Sequence, residues 1–249
     1  MNFRNAKKTD KNELYRLWES AFGDSENDIE RFFESVISYE NVTVCCDGKK
    51  IVSMLSLLPA RIAFPDAESV NGFCVYAAAT DKQYRKRGIM SALLDFSAEL
   101  AKKRNADMLF LHPANEKLYS YYEKNGFKRA FYLGNEIHLS EIKDGFSYPY
   151  VAWNEQVLRL SEYFCEDKTF LCEYGYADYS QENGRIRVNT FLSSDIKSLL
   201  GRLSEETGCK DIFVRLPEAD LSKAQPQGMI RCLNNKTYDN NIYLGITLE

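Results

Sequence analysis

Residues 84–94 read YRKRGIMSALL. The stretch opens an amphipathic helix predicted from Gly88 to about Arg104, and it does so with three cations, Arg85, Lys86 and Arg87. A helix carries partial positive charge at its N-terminus, so cations there oppose the dipole. The residues just upstream, GFCVYAAAT at 72–80, read as a strand. A strand that runs into a basic, Gly-containing turn and then a helix is a general anion-binding device. Its free backbone N–H groups and dipole point at the ligand, and Gly lets the backbone approach closely. The cations fit once an anion sits there, because they and the dipole act on the same charge. The alternative is a solvated basic turn, since Lys82 makes four cations within six residues. Two familiar phosphate loops are excluded: there is no G-x-x-x-x-G-K-[ST], and a lone Gly88 is not G-x-G-x-x-G.

The rest of the chain is ordinary in composition. It has 249 residues, 45% hydrophobic and 27% charged, which suits one large domain or two modest ones of a soluble globular protein. A formal net charge of −4 argues against a nucleic-acid footprint over a whole face, so local basic clusters carry the information. No apolar run approaches the ~20 residues that span a bilayer. MNFRNAKKTD lacks the apolar core of a signal peptide, so the expected location is the cytoplasm and no membrane partner is expected. Seven cysteines without a C-x-x-C, and only two histidines, predict reduced structural thiols and no metal site. Cys45, Cys46, Cys74 and Cys172 lie in apolar, strand-like runs.

Outward from the phosphate turn, a helix is predicted from Lys11 to Phe22, stopped by Gly23. Ser25 and Asp28 form a capping-box pattern for a second helix with Ile29, Phe32, Phe33 and Val36 on its apolar face. VTVCCDGKKIVSMLSLL is a hairpin around Asp47-Gly48, followed by a loop at Pro65 and DAES. After the central helix come a buried strand, MLFLH, a helix from Asn115 to Asn125 ending at Gly126, and a strand, FKRAFYLGNEIHL. This order is an α/β (α+β) layered arrangement on a mixed sheet. EIKDGFSYPY is a boundary near residue 145. Beyond it lie a helix (NEQVLRLSEYF), a hairpin around Asn183-Gly184 and a helix from about Ser194 to Glu206. The strands DIFVRL, GMIRCL and IYLGITL complete the chain.

ATDKQYRKRGIMSALL, followed about twenty residues later by LFLHPANEKLYSYYEKNGFKRA, closely resembles the GCN5-related N-acetyltransferase (GNAT) superfamily. Its acyl-CoA signature, Q/R-x-x-G-x-G/A, is matched by Arg85-Lys86-Arg87-Gly88-Ile89-Met90, departing at Met90. The RKRGIM form, the HPAN turn and the two-part chain look most like the enhanced-intracellular-survival (Eis) branch, whose members often carry a bulkier residue there. The resemblance covers residues 1–140. It implies a GNAT fold, with a mixed, mostly antiparallel central sheet flanked by helices, and acetyl-CoA as the cofactor. By the same resemblance, residues 1–145 are the acetyl-CoA-binding domain. Residues 146–249 are a degenerate GNAT-like unit without the signature, and the sterol-carrier-like third domain of full-length Eis proteins has no room. The second unit would cover the acceptor cleft or, alternatively, make a homo-oligomer.

Residue by residue, the resemblance implies that Arg85, Lys86, Arg87, Gly88, Ile89, Met90 and Ser91 hold the pyrophosphate of coenzyme A. Ala78, Ala79 and Thr80 would pair with the pantetheine arm as an extra strand, one N–H polarising the thioester carbonyl. Asn115 would contact the pantetheine, its other reading being a helix N-cap. Acetyl transfer to an amine needs a neutral amine, an oxyanion donor, alignment and an acid for the leaving thiolate. The family's Y-x-x-x-G-F matches Tyr122 to Phe127, making Tyr122 the implied acid, with Tyr121 as the residual candidate. The base is not legible: a water chain to a carboxylate and the chain's own C-terminal carboxylate, after Leu248-Glu249, both remain open. Glu19 to Glu34 holds six acids and one Arg, which suits a cationic amine acceptor or simply a solvated helix start. The other function classes are a non-catalytic acyl-CoA-binding module and a protein-interaction unit whose basic turn meets an acidic partner.

Overall fold

The computed structural model describes every residue except 36, 66, 165–166, 235, 239–240 and 247–249. Its chain divides into two compact units, each assembled from separated segments. The first comprises Met1–Arg61, Val70–Lys128 and Ile230–Lys236; the second comprises Ile62–Ser69, Arg129–Met229 and Thr237–Glu249.

In the first unit, strand β1 (Asn2–Asn5) leads to helices α1 (Lys11–Phe22) and α2 (Glu26–Ser35). Gly23 ends α1 in the left-handed conformation at φ 85°, its N–H donating to the Glu19 carbonyl at 2.9 Å. Leu14, Leu17 and Trp18 are buried on one stripe of α1, and Ile29 and Phe32 on α2. Val36, expected on the same face, lies outside the described residues. Ser25 does cap α2, but not as the expected capping box. Its Oγ accepts from Asp28 N at 3.2 Å while the Asp28 carboxylate takes the Ser25 hydroxyl at 2.6 Å.

Strands β2 (Val42–Asp47) and β3 (Lys50–Phe64) form the expected Asp47-Gly48 hairpin, with Asp47 opposite Lys50. β3 continues well past the sequence expectation, and β4 (Ala67–Thr80) begins at once. Of the expected loop DAES, Asp66 lies outside the described residues, and Ala67, Glu68 and Ser69, which fall in the second unit, are strand, the first two exposed and Ser69 half-buried. Helix α3 (Ile89–Lys103) then crosses to β5 (Met108–Leu111), which runs parallel to β4, before α4 (Glu116–Glu123). The sheet order of this unit is β1-β2-β3-β4-β5, antiparallel at β1–β2 and β2–β3. α3 lies against β2 and β5. Leu93 and Leu94 are fully buried, a contribution of about 2 kcal/mol each. Ile89, its first residue, packs with Cys45 and Val52 and so fixes where the helix starts.

The second unit holds β6 (Lys128–His138), β7 (Tyr150–Ala152), α5 (Glu155–Phe164), β8 (Lys168–Cys172), β9 (Gly175–Glu182), β10 (Arg185–Ser193), α6 (Ile196–Thr207), β11 (Asp211–Pro217) and the start of β12 (Gln225–Cys232). Its sheet order is β6-β11-β10-β9-β8. β10 and β11 are parallel across α6, and β9–β10, β6–β11 and β8–β9 are antiparallel. Thus β9–β10–α6–β11 repeats the hairpin–helix–parallel-strand order of β3–β4–α3–β5. Its core gathers Ile186, Val188, Leu199, Leu200 and Ile212 with the stacked rings of Phe191 and Tyr243, 4.1 Å apart. IYLGITL, expected as a strand, makes only an isolated bridge from Tyr243 to Tyr150 among its described residues. Cys45, Cys46, Cys74 and Cys209 are buried free thiols, whereas Cys172 is half-buried.

Candidate active site

The site begins where β4 and β5 part. Their parallel register covers Gly72↔Met108, Phe73↔Leu109 and Cys74↔Phe110, and no later pair joins them among the described residues. β4 nevertheless continues to Thr80. Ala77 sits at φ 50°, in the left-handed region, a conformation that costs a non-glycine residue about 1–2 kcal/mol. The kink falls just past the last paired residue, so Ala77 and Ala78 are half-buried along an edge that β5 leaves uncovered. Ala79 is buried and Thr80 half-buried; Ser53 donates to the Ala79 carbonyl at 2.9 Å and bonds the Thr80 hydroxyl at 2.9 Å.

Next comes the phosphate turn. Lys82–Tyr84 is a 3-10 turn, Arg85 is extended, and Lys86 (φ 63°) and Gly88 (φ 73°) are left-handed. Such alternation turns successive N–H groups outward into an anion-binding nest. Lys82, Arg85, Lys86, Arg87 and Gly88 are all exposed. The cations therefore precede α3 rather than occupy it. Arg85 Nε donates to the Thr80 carbonyl at 3.0 Å, and Arg87 stacks over the Tyr84 ring at 5.1 Å. Gly88 is the N-cap of α3 and no side chain caps it; the first turn holds no acidic residue. Ala92 N bonds Gly88 O at 3.0 Å as the first helical bond, leaving Ile89, Met90 and Ser91 N–H without intrahelical acceptors. A Cβ on Gly88 would meet nothing within 4 Å, so the space in front of the turn is open.

α4 brings the aromatic groups. Tyr122 is 9% exposed, its ring edge-on to Phe127 at 5.6 Å and to Tyr121 at 5.3 Å. Its hydroxyl makes no hydrogen bond among the described residues. Burial pushes its pKa up to about 12, with the nearby Tyr121 and Cys74 adding to the effect. The Tyr121 hydroxyl instead lies 3.3 Å from Ser91 Oγ, at the phosphate turn. This separates two tyrosines that sequence reasoning left as rivals. Asn115 does hold the N-cap position of α4, yet its side chain makes no cap hydrogen bond and is exposed.

Two residues of this region, Tyr76 and Asp24, were missed in the sequence, where Cys74 had been read as a buried structural thiol. Cys74 is the last β4 residue paired with β5, and burial pushes its thiol up to about 12, so it stays neutral and is a poor nucleophile. Tyr76 packs against Trp18 at 5.9 Å and Phe32 at 5.4 Å, and its pKa is raised by burial and by Asp24. Asp24 accepts from Trp18 Nε1 at 2.7 Å. The signal lay in residues 18, 24 and 76 being separately unremarkable, with only the fold joining them. The C-terminal carboxylate after Leu248 and Glu249 lies outside the described residues.

Residues 2–130 match the family model for the acetyltransferase (GNAT) domain. The chain belongs to the GNAT acetyltransferase family. Members of that family use acetyl-CoA, and the uncapped α3, the left-handed basic turn and the uncovered edge of β4 fit its diphosphate and its extended arm. Solved structures share the GNAT fold at low identity. A GCN5-related N-acetyltransferase from Anabaena variabilis is 17% identical, over 94% of this chain and 73% of that one, with a TM-score of 0.66. Eis1 from Mycobacterium abscessus is 12% identical, over 94% and 74%, at 0.69. A putative acetyltransferase from Pyrococcus horikoshii is 14% identical, over 99% and 94%, at 0.55. No curated protein matches the sequence. Among the described residues no helix is long and apolar enough to cross a membrane.

Proposed function

We propose that this GNAT protein is an acetyl-CoA-dependent N-acetyltransferase of the Eis-like type, acting by direct attack of a primary amine. The carrying observation is the N-terminus of α3, which no side chain caps and which opens behind exposed cations. Acetyl-CoA, when bound, supplies the acetyl thioester. The N–H groups of Gly88 to Ser91 bind its diphosphate, with Lys86 and Arg87 adding charge. Ala78, Ala79 and Thr80 align the arm along β4, and a β4 N–H donates to the thioester carbonyl oxygen as negative charge develops there. Asn115, with its side chain free of a capping role, reaches the same arm. Tyr122 holds a proton at its hydroxyl and gives it to the departing sulfur. A neutral Cys74 supports direct attack over an acyl-enzyme.

The acceptor is a cationic amine, such as an aminoglycoside, a polyamine or a lysine side chain. The six acids between Glu19 and Glu34 suit an ammonium group, whereas the Trp18 and Phe32 rings are buried in the core. Residues 1–145 act as the acetyl-CoA-binding domain. Residues 146–249 form a degenerate GNAT-like domain, supported by the repeated order β9–β10–α6–β11. The protein works in the cytoplasm. Calorimetric titration with acetyl-CoA tests the cofactor half: micromolar binding is expected, and none would remove the reading. A panel of amines, read by the mass of acetylated product, tests the rest. Binding without any product would leave an acyl-CoA-binding module.

A further inference from the structure

Asp81 ties the start of the phosphate turn to the rest of its unit. Asp81 follows β4 directly, and its side chain is 12% exposed. Its N–H donates to Val52 O at 2.9 Å and its carbonyl accepts from Tyr84 N at 2.8 Å. Oδ1 accepts from Gln83 N at 3.0 Å, which caps the 3-10 turn. Oδ2 faces Lys50 Nζ of β3 at 2.8 Å and, more distantly, Arg16 Nη1 of α1 at 3.5 Å. Lys50 also lies over the Tyr84 ring at 5.3 Å, and Tyr84 anchors itself by donating to Asp47 at 2.9 Å. Arg16 is committed elsewhere as well, to Ile51 O at 2.9 Å and Glu13 at 3.2 Å, and its Nε is buried without a partner among the described residues.

A cap needs only Oδ1, so the second oxygen does something more. Four exposed cations within six residues repel one another, and a loop that must be ordered on binding loses that ordering free energy from its affinity. We propose that Asp81 is a positioning residue for the phosphate turn. Acting through Lys50, it holds the segment before Arg85 against β3, so the left-handed turn at Lys86 and Gly88 is formed before the ligand arrives. The inference rests on the acetyl-CoA reading above.

The test is calorimetric titration of coenzyme A into the parent protein, D81N, K50M and the double variant, each with a thermal melt. D81N keeps an Oδ1 acceptor for Gln83 N–H and loses the charge. Each single variant is expected to weaken binding about tenfold. The double variant is expected to bind no more weakly than D81N, with melting temperatures close to the parent's. Parent-like binding by D81N overturns the inference, as does addition of the two losses in the double variant. A loss of affinity that follows a loss of melting temperature also overturns it, since that marks a structural role. Should D81N not fold, K50M alone, changed at an outward-reaching side chain, decides by losing or keeping its affinity. Absence of binding by the parent overturns the cofactor reading itself, which D81N results leave distinguishable.

Discussion

Asp195 caps α6 with its own carboxylate, whereas Gly88, at the corresponding end of α3, brings no side chain to that position. Both helices follow a strand whose parallel neighbour comes after the helix. The Asp195 carboxylate accepts from Ser198 N at 3.1 Å and Ser198 Oγ at 2.7 Å, and Ser193 Oγ accepts from Asp195 N at 3.0 Å. Hydrogen bonds from Ser198, hydroxyl first, hold that carboxyl below the usual range. One helix end is thus satisfied and anionic, the other unsatisfied and surrounded by cations. Asp195→Ala should therefore cost about 1 kcal/mol of stability in denaturant melts and leave coenzyme A affinity unchanged. A drop in affinity would place the ligand at α6 instead.

Gly88→Asp converts the open end into the sealed one. The new side chain has free space, and Asp tolerates the left-handed backbone better than most residues, so the variant should fold with a strain of about 1 kcal/mol. Its carboxylate would accept the free N–H groups and repel phosphate. Coenzyme A affinity is expected to fall about 100-fold by calorimetry, against a smaller loss in Gly88→Ala, which adds strain without charge. Equal losses in the two variants would assign the effect to backbone strain.

Much of this was legible in the sequence, for physical reasons. Periodicity gave α1, α3 and α6, and Asp47-Gly48 and Asn183-Gly184 marked their hairpins because their turns need left-handed residues. β8 escaped because Glu173 and Tyr174 form its turn into β9 without any such signal. The only clue was Gly175, where a Cβ would run into the Leu192 carbonyl. The kink at Ala77 left no mark, since alanine is not a residue that announces positive φ. In the site, the phosphate turn was readable because local backbone makes it. The difference between Tyr121 and Tyr122 was not, since it depends on Ser91 and Phe127. Asp81 was hidden for the same reason: its partners stand on β3 and α1, far away in the chain.

Asp10 supplies an acid-stability prediction in the same unit. Arg4 clasps its carboxylate with two hydrogen bonds, at 2.7 and 3.0 Å, and Lys7 N donates at 2.7 Å. The Arg4 hydrogen bonds hold the Asp10 pKa below its ordinary value of 3.8. A depressed folded-state pKa gives stability that is complete above the unfolded value and lost as pH falls through the folded one. Asp10→Asn should melt below the parent from about pH 5 upward, with the gap closing as the pH drops below about 3. A gap that persists in acid would mean the pair's charge contributes nothing.

Tyr122→Phe separates chemistry from structure. The hydroxyl has no hydrogen bond to lose among the described residues, and the ring contacts with Phe127 and Tyr121 survive in phenylalanine. Melting temperature and coenzyme A affinity should stay near the parent's. Turnover should fall by a factor of about 100, the lower range for removing a general acid. A phenol pushed up to about 12 by burial stays protonated across the usual assay range. As pH rises, its acid function is lost only on passing that value, so kcat should show no descending limb from this group between about pH 7 and 10. Tyr121→Phe is the paired control. With its hydroxyl at Ser91, its effect belongs in affinity for coenzyme A and not in kcat. Reversal of the two patterns, with Tyr121→Phe losing turnover and Tyr122→Phe retaining it, would move the acid to Tyr121.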